Sequence, residues 1–219
     1  MAARNEADRV GATLDALAGA FPGARVIVAD DASTDGTSEA AFARGAEVVR
    51  SARPRGKGAN VGAAVESVLP LATSPNPPVF LLCDGDLGPS AARLGPLVEA
   101  VRSGECDLAV AAFRRRVGGG FGLALGFARW AIERRCGLRT SAPISGQRAM
   151  SAEALRAVHP FAEGYGMEIG ITVDAVRAGA RVREYELDLE HRATGRSLAG
   201  FGHRALQLRD FARVYLSRR

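Results

Sequence analysis

Long apolar runs are missing from this 219-residue chain. No uncharged stretch reaches the length of a bilayer span, and the most apolar helical stretch, Leu123 to Ile132, is interrupted by Arg129. Met1 to Val10 is polar and has no apolar core region, so no signal peptide is predicted. Cysteine is scarce. Cys83, Cys106 and Cys136 are odd in number and widely spaced, which argues against a disulfide framework and a zinc cluster. Cys83 sits in an apolar run and reads as a buried free thiol, and a reducing cytoplasm is the expected compartment. Aromatic residues make up only 6% of the chain, leaving little for base stacking. With no zinc-finger spacing and no RNP-like motif, nucleic acid is not an expected partner. A strong excess of one charge is also absent: 29 Lys and Arg against 24 Asp and Glu leave a net +5. That balance suits an anionic substrate or an acidic surface.

What is present is 47% hydrophobic residues, enough for one sizeable core and too little for two ordinary enzyme domains. Apolar runs alternate with helical patterns. Val10, Leu14, Leu17 and Phe21 recur at helical spacing. A short strand pattern over 25–29 stops at a turn-rich cluster, 30–37, with a helix expected after Thr37. A second strand is predicted at 46–49, a helix through Val61, Val65 and Leu69, and a clean strand over 79–83. A helix over 91–102 and a strand over 108–113 complete the first half. Alternating strands and helices predict an α/β fold with a mostly parallel sheet covered on both faces. Ligands of such sheets bind beyond the strand carboxyl ends, where Asp30-Asp31 and Asp84-Gly85-Asp86 both fall. The second half is less regular. Residues 121–136 read as a helix, 143–148 as a polar loop, 151–158 as a short helix and 181–190 as a strand. Gly164-Tyr165-Gly166 precedes another helix, and the tail from Phe201 reads as a basic amphipathic helix. No domain boundary is evident, so 1–219 reads as one domain. Its parts are a first half (1–115), a second half (116–200) and the basic tail (201–219).

Asp84 and Asp86, two residues apart after a buried strand, can converge on one hard cation, Mg²⁺ or Mn²⁺, which in turn neutralises a diphosphate. A solvated turn uses the same residues. So does a phosphatase with an aspartate nucleophile, although such enzymes want Thr or Val where this chain has Gly88. Lys57 between Gly56 and Gly58 can meet a phosphate or stand as an exposed loop lysine. His191, closing the last strand, can serve as a third ligand or as a surface residue.

Four pieces in order resemble family 2 glycosyltransferases of the GT-A fold. They are Ala3-Arg4-Asn5-Glu6-Ala7, the run 28–37 with Asp30-Asp31, Arg55-Gly56-Lys57-Gly58-Ala59, and Asp84-Gly85-Asp86. They cover the first half of the chain. The second half is similar to a narrower group, the glucosyl-3-phosphoglycerate synthases, through 164–170 and His191-Arg192. Dolichyl-phosphate mannose synthases share the first-half motifs and less of the second.

The resemblance implies a metal-dependent transferase with a nucleotide-binding half (1–115) for a UDP-linked sugar donor and a sugar- and acceptor-facing half (116–200) for a small anionic or lipid-linked acceptor. It implies that Ala3, Arg4, Asn5, Glu6 and Gly85 line the donor pocket and that Asp31 accepts from the base. Lys57 would lie near the phosphates, Asp86 and His191 on the metal, and Asp84 on metal through water, or on ribose. Tyr165 and Glu168 would meet the donor sugar. Gly146, Gln147, Arg148, Arg192 and Arg196 would face sugar or acceptor. Glu168 has no acidic neighbour, which leaves inversion or retention open. In the family an apolar strand leads into Ala3-Arg4, whereas only Met1 and Ala2 precede it here. The expectation is that the first strand is missing and that the start lies upstream. The tail arginines, Arg204, Arg209, Arg213, Arg218 and Arg219, admit contact with the inner face of a membrane as well as a solvated helix. A homodimer is admitted too.

Overall fold

The computed structural model describes residues 1–114, 122–190 and 198–218. Its strands are β1 (Ala2–Ala3), β2 (Ile27–Asp30), β3 (Glu47–Arg50), β4 (Phe80–Leu82), β5 (Leu108–Phe113), β6 (Arg148–Met150) and β7 (Val182–Leu187). Its α-helices are α1 (Val10–Ala20), α2 (Thr37–Phe42), α3 (Lys57–Glu66), α4 (Gly95–Arg102), α5 (Leu123–Cys136), α6 (Ala152–Val158), α7 (Met167–Arg177) and α8 (Leu198–Ser217). The architecture is α/β, as expected.

One parallel sheet runs β1-β2-β3 and a second runs β4-β6-β5-β7. The two meet at a parallel bridge between Ala2 and Asp84. Here the sequence expectation is corrected: a strand, Ala2–Ala3, does lead into Arg4 and joins the sheet. Its backbone serves both neighbours. Ala2 N–H donates to Cys83 O at 2.9 Å, and Ala2 O accepts from Gly85 N–H at 2.8 Å. On the other side Met1 O accepts from Ala29 N–H at 2.7 Å and Ala3 O from Asp31 N–H at 3.1 Å. The stub thus stitches the carboxyl ends of β2 and β4 together where the acidic clusters begin.

β5 lies in the middle of the second sheet, and its side chains alternate between faces as the pleat requires. Leu108 and Val110 pack with Val61, Val65, Leu155 and Ile171 on the side of α3, α6 and α7. Ala109 and Ala111 pack with Leu94, Leu97 and Val98 on the side of α4. A third cluster joins Ala128 and Ile132 of α5 to Ile169 and Val173 of α7 and Phe211 and Val214 of α8.

Two local expectations change. Residues 91–102 do not form one helix. A 3₁₀ segment, Gly88–Leu94, gives way to α4 at Gly95, with Pro96 in the first turn. Proline has no N–H to continue a preceding helix and is tolerated at a helix start. The polar loop 143–148 ends directly in β6, the antiparallel member of its sheet. Ser151 caps α6 as its residue type suggests, its side chain accepting from Ala154 N–H at 3.2 Å.

Leu108 is fully buried between these layers while Phe42 is 75% exposed. Leu108→Ala is expected to cost about 2–5 kcal/mol. Phe42→Ala is expected to stay within about 0.5 kcal/mol of wild type. Urea unfolding of the two variants checks the pair. Comparable losses would mean that the core is not centred on β5.

Candidate active site

The site is built from the loops that follow β1, β2 and β4, from the start of α3, and from the segment before α7. Asp30, fully buried at the end of β2, organises its own turn. Its carboxylate accepts from Ser33 N–H at 2.9 Å, from the Ser33 hydroxyl at 2.5 Å and from the Ser38 hydroxyl. Asp31, also buried, reaches the other way. It accepts from Arg55 N–H at 2.7 Å and Gly56 N–H at 3.1 Å, and Arg4 Nη1 lies 3.8 Å off. This pins the loop that starts α3. Gly56 supplies the left-handed turn there, at φ 84°. Lys57 opens the helix, where a cation opposes the helix dipole and needs partners.

The partners are two carboxylates. Lys57 Nζ is 2.7 Å from Asp84 Oδ1 and 2.8 Å from Glu168 Oε1. Burial alone would lower the Lys57 pKa, but Asp84 and Glu168 outweigh it and hold the ammonium well above its ordinary range. For Asp84, burial would raise the pKa; Lys57 outweighs that, and with a hydrogen bond from Gln147 keeps the carboxyl below the usual range. Gln147 Nε2 donates to Asp84 Oδ2 at 2.9 Å. Gly146 leaves room for the cluster, since a Cβ there would sit 2.4 Å from Lys57 Nζ and 2.7 Å from Asp84 Oδ2. The main chain after Asp84 is tied to α1. The buried Thr13 hydroxyl donates to Gly85 O at 2.8 Å and accepts from Gly88 N–H at 2.8 Å.

Two of the expected acceptor-facing residues serve the interior instead. Arg148 is fully buried. It donates from Nε to Ser145 O at 2.7 Å and from Nη1 to Thr172 Oγ1 at 2.8 Å. Burial pushes its pKa down to about 10, against the raising influence of Glu168 and Glu184. The alternation of β6 points this side chain into the protein, so it is unavailable to an acceptor. Gln147, also buried, is committed to Asp84. The other end of the loop hangs on Glu184 of β7, which accepts from Ser141 N–H at 2.9 Å, Ala142 N–H at 3.1 Å and the Ser141 hydroxyl at 2.6 Å. Burial would raise the Glu184 pKa; the Ser141 and Thr140 hydrogen bonds outweigh it and lower it.

Above the cluster opens a cleft of about 720 Å³. Ala3, Arg4, Glu6, Asp31, Arg55, Lys57, Asp84, Gly85, Asp86 and Tyr165 line it, and α8 closes one side with Arg209, Asp210 and Arg213. Asn5 does not line the cleft. Its side chain accepts from Thr34 N–H at 2.8 Å and so holds the 33–34 turn. Glu168 is buried and pairs with Lys57. His191, Arg192 and Arg196 lie outside the described residues.

Asp84 and Asp86 together offer hard oxygen donors at the cleft, suited to Mg²⁺ or Mn²⁺. Among the described residues no group of three His, Cys, Asp or Glu side chains gathers for a metal. A dication on Asp84 would therefore share that carboxylate with Lys57 and complete its shell from outside the pair.

Sequence reasoning missed the contribution of α8. Asp210 accepts from Tyr165 N–H at 3.2 Å, and Arg218 pairs with Asp174 of α7 at 2.5 Å. A signal was present in Gly164-x-Gly166. A Cβ at Gly164 would meet Asp210 Oδ2 at 2.2 Å, and one at Gly166 would meet Val214 Cγ2 at 2.2 Å. These glycines let α8 lie directly on the segment that carries Tyr165.

The glycosyl transferase family 2 model matches residues 1–156. An undecaprenyl-phosphate mannosyltransferase of Micrococcus luteus is 30% identical over 214 residues, covering 88% of this chain and 83% of the relative. Among solved structures, glucosyl-3-phosphoglycerate synthase of Mycobacterium tuberculosis in complex with phosphoglyceric acid is similar at a TM-score of 0.76. It is 28% identical, with 99% of this chain and 77% of that chain covered. The same synthase with Mn²⁺, UDP and glucosyl-3-phosphoglycerate is similar at a TM-score of 0.75, with the same identity and coverage.

The ion cluster predicts an acid-labile part of the stability. The folded-state pKa of Asp84 is depressed, so its contribution is present above the unfolded carboxylate value of about 3.9 and is lost as pH falls through the folded value. Wild type is expected to lose stability more steeply than Asp84→Asn below about pH 5 in urea titrations; parallel profiles would contradict the pairing. Thr13→Val is expected to strand the Gly85 carbonyl and the Gly88 amide. It should cost about 1–3 kcal/mol, readable as a fall of several degrees in Tm.

Proposed function

The chain belongs to glycosyl transferase family 2, and from that premise we propose that it moves a hexose from a uridine-diphosphate donor to an anionic or lipid-linked acceptor. Its being a glycosyltransferase removes the phosphatase reading that Asp84-Gly85-Asp86 admits by itself. One observation carries the proposal furthest. The two aspartates, Lys57, Arg4 and Arg55 all line one cleft at the strand carboxyl ends, where a diphosphate needs both a metal and cations. The mycobacterial synthase solved with Mn²⁺ and UDP supports the donor class, and its phosphoglyceric acid complex supports an anionic acceptor. The Micrococcus relative supports a lipid-linked one.

In this reading Ala3, Arg4, Glu6 and Asp31 form the nucleotide end of the cleft, and Tyr165 faces the sugar. Asp86, with Asp84 and His191, would hold Mg²⁺ or Mn²⁺. When bound, the metal neutralises charge on the diphosphate. Transfer breaks the bond between the sugar anomeric carbon and the diphosphate oxygen and forms one to the acceptor oxygen, whose proton is released. The chain's own part is electrostatic. Lys57 and the α3 N-terminus sit where negative charge grows on the leaving diphosphate, fixed in place by Asp84 and Glu168 before the reaction begins. Glu168 is then a positioning residue for Lys57. With Arg148 committed to the interior, cleft arginines such as Arg209 and Arg213 take its expected place toward an anionic acceptor.

Calorimetry with UDP-glucose, UDP-N-acetylglucosamine and GDP-mannose, with and without Mn²⁺, tests the reading. One UDP-sugar is expected to bind in a Mn²⁺-dependent manner. Asp86→Ala should abolish that dependence while leaving Tm within about 2 °C of wild type, as for a half-exposed substitution. Metal-independent binding, or preference for GDP-mannose, would refute the metal or the donor assignment respectively.

A further inference from the structure

The inner faces of α5 and α8 are spent on the cluster around Ile132, Phe211 and Val214. Their outer faces still carry aromatic side chains. Phe127 and Trp130 of α5 lie with ring centroids 5.5 Å apart, and Trp130 stacks on Tyr215 of α8 at 4.8 Å. Trp130 is nonetheless 49% exposed and the neighbouring Leu216 is 52% exposed. Nothing among the described residues covers them.

The charge around this patch has one dominant sign. α5 carries Arg129, Arg134 and Arg135 against Glu133, and the described part of α8 carries Arg209 and Arg213 against Asp210. Arg135 lies over the Tyr215 ring at 3.7 Å, so cation and aromatic are presented together. Such a face is mismatched to a second copy of itself, since a two-fold contact would bring arginines against arginines. It matches a layered surface that is anionic outside and apolar just beneath. Trp and Tyr favour that interface, and arginine favours its headgroups. No helix among the described residues is long and apolar enough to cross a membrane, so the contact would be peripheral.

We propose that the α5–α8 face bearing Phe127, Trp130, Tyr215 and Leu216 docks on the surface of an anionic lipid bilayer. The assignment holds whichever acceptor the enzyme uses. The geometry adds a consequence: α8 also lines the cleft through Arg209 and Arg213, on the Leu216 side of the helix. Docking would therefore bring the cleft mouth close to the headgroup layer.

Trp130 is the only tryptophan of the chain, so its emission reads this face alone. The full chain is mixed with vesicles of phosphatidylcholine alone or with phosphatidylglycerol. With the anionic vesicles, Trp130 emission should shift to the blue and be quenched by bromine-labelled acyl chains, and the effect should weaken as salt is added. Sedimentation should show binding about tenfold tighter than to neutral vesicles, reduced about fivefold by Arg134→Gln. Trp130→Ser with Leu216→Ser should abolish co-sedimentation while leaving UDP-sugar calorimetry and Tm unchanged. No binding to anionic vesicles, or binding indifferent to that double variant, would overturn the proposal. A concentration-dependent dimer lost in the double variant, without vesicle binding, would assign the face to a second copy instead.

Discussion

A lysine ammonium held between two carboxylates is the constraint on which this molecule is arranged. Lys57 sits 2.7 Å from Asp84 and 2.8 Å from Glu168. Three charges drawn together away from bulk water are tolerated only when each is paired and hydrogen-bonded. The surroundings follow from that demand. Gln147 fills a remaining acceptor position on Asp84, and Gly146 keeps side-chain volume away from both charges. Arg148 and Glu184 clamp the two ends of the loop that presents them. At the start of α3, Gly58 allows the main chain of 162–163 to approach, for a Cβ there would lie 2.0 Å from Ala162 O. Residues scattered from 57 to 184 are thus fixed by one electrostatic problem.

The two-residue β1 is the mechanical counterpart. The Ala2 peptide groups bond to the β4 side, and the Met1 and Ala3 carbonyls bond to the β2 side. Asp31 and Asp84 are each placed within two residues of such a bond. Buried main-chain groups left unpaired between two strands would be costly, and these few bonds are what join the sheets at the cleft. Thr13 extends the same stitching to α1, so the orientation of the Asp84–Asp86 loop depends on α1 packing as well as on strand order.

How much of this was legible beforehand varies with the range of the cause. Strands with a local apolar pattern were readable: β5 falls at 108–113 as expected, and α6 begins at its Ser151 cap. β6 was not, because three residues between a loop and a helix carry no period, and its pairing with β4 and β5 is wholly non-local. Charged residues showed the same divide. Asp31, Lys57, Asp84 and Asp86 sit in recognisable motifs and do line the cleft. Arg148 resembled an acceptor ligand because guanidinium matches carboxylate and phosphate geometry, yet strand alternation and Thr172 turn it inward. Asp210 belongs to a helix with no motif, and only the glycines it presses against hint at its position.

That misplacement bears on how such a cleft comes to be specific. One wall of the cleft is made from residues 2–86, supported by short-range turns and the sheet edge. The opposite wall is made by α8, more than a hundred residues later, held by Arg218 on Asp174 and by Asp210 on the Tyr165 amide. A wall held by a few ion pairs and one small apolar cluster can change its side chains without disturbing the Lys57 ammonium and its partners. The separation follows from the position of α8, which packs on the Tyr165 segment, α5 and α7.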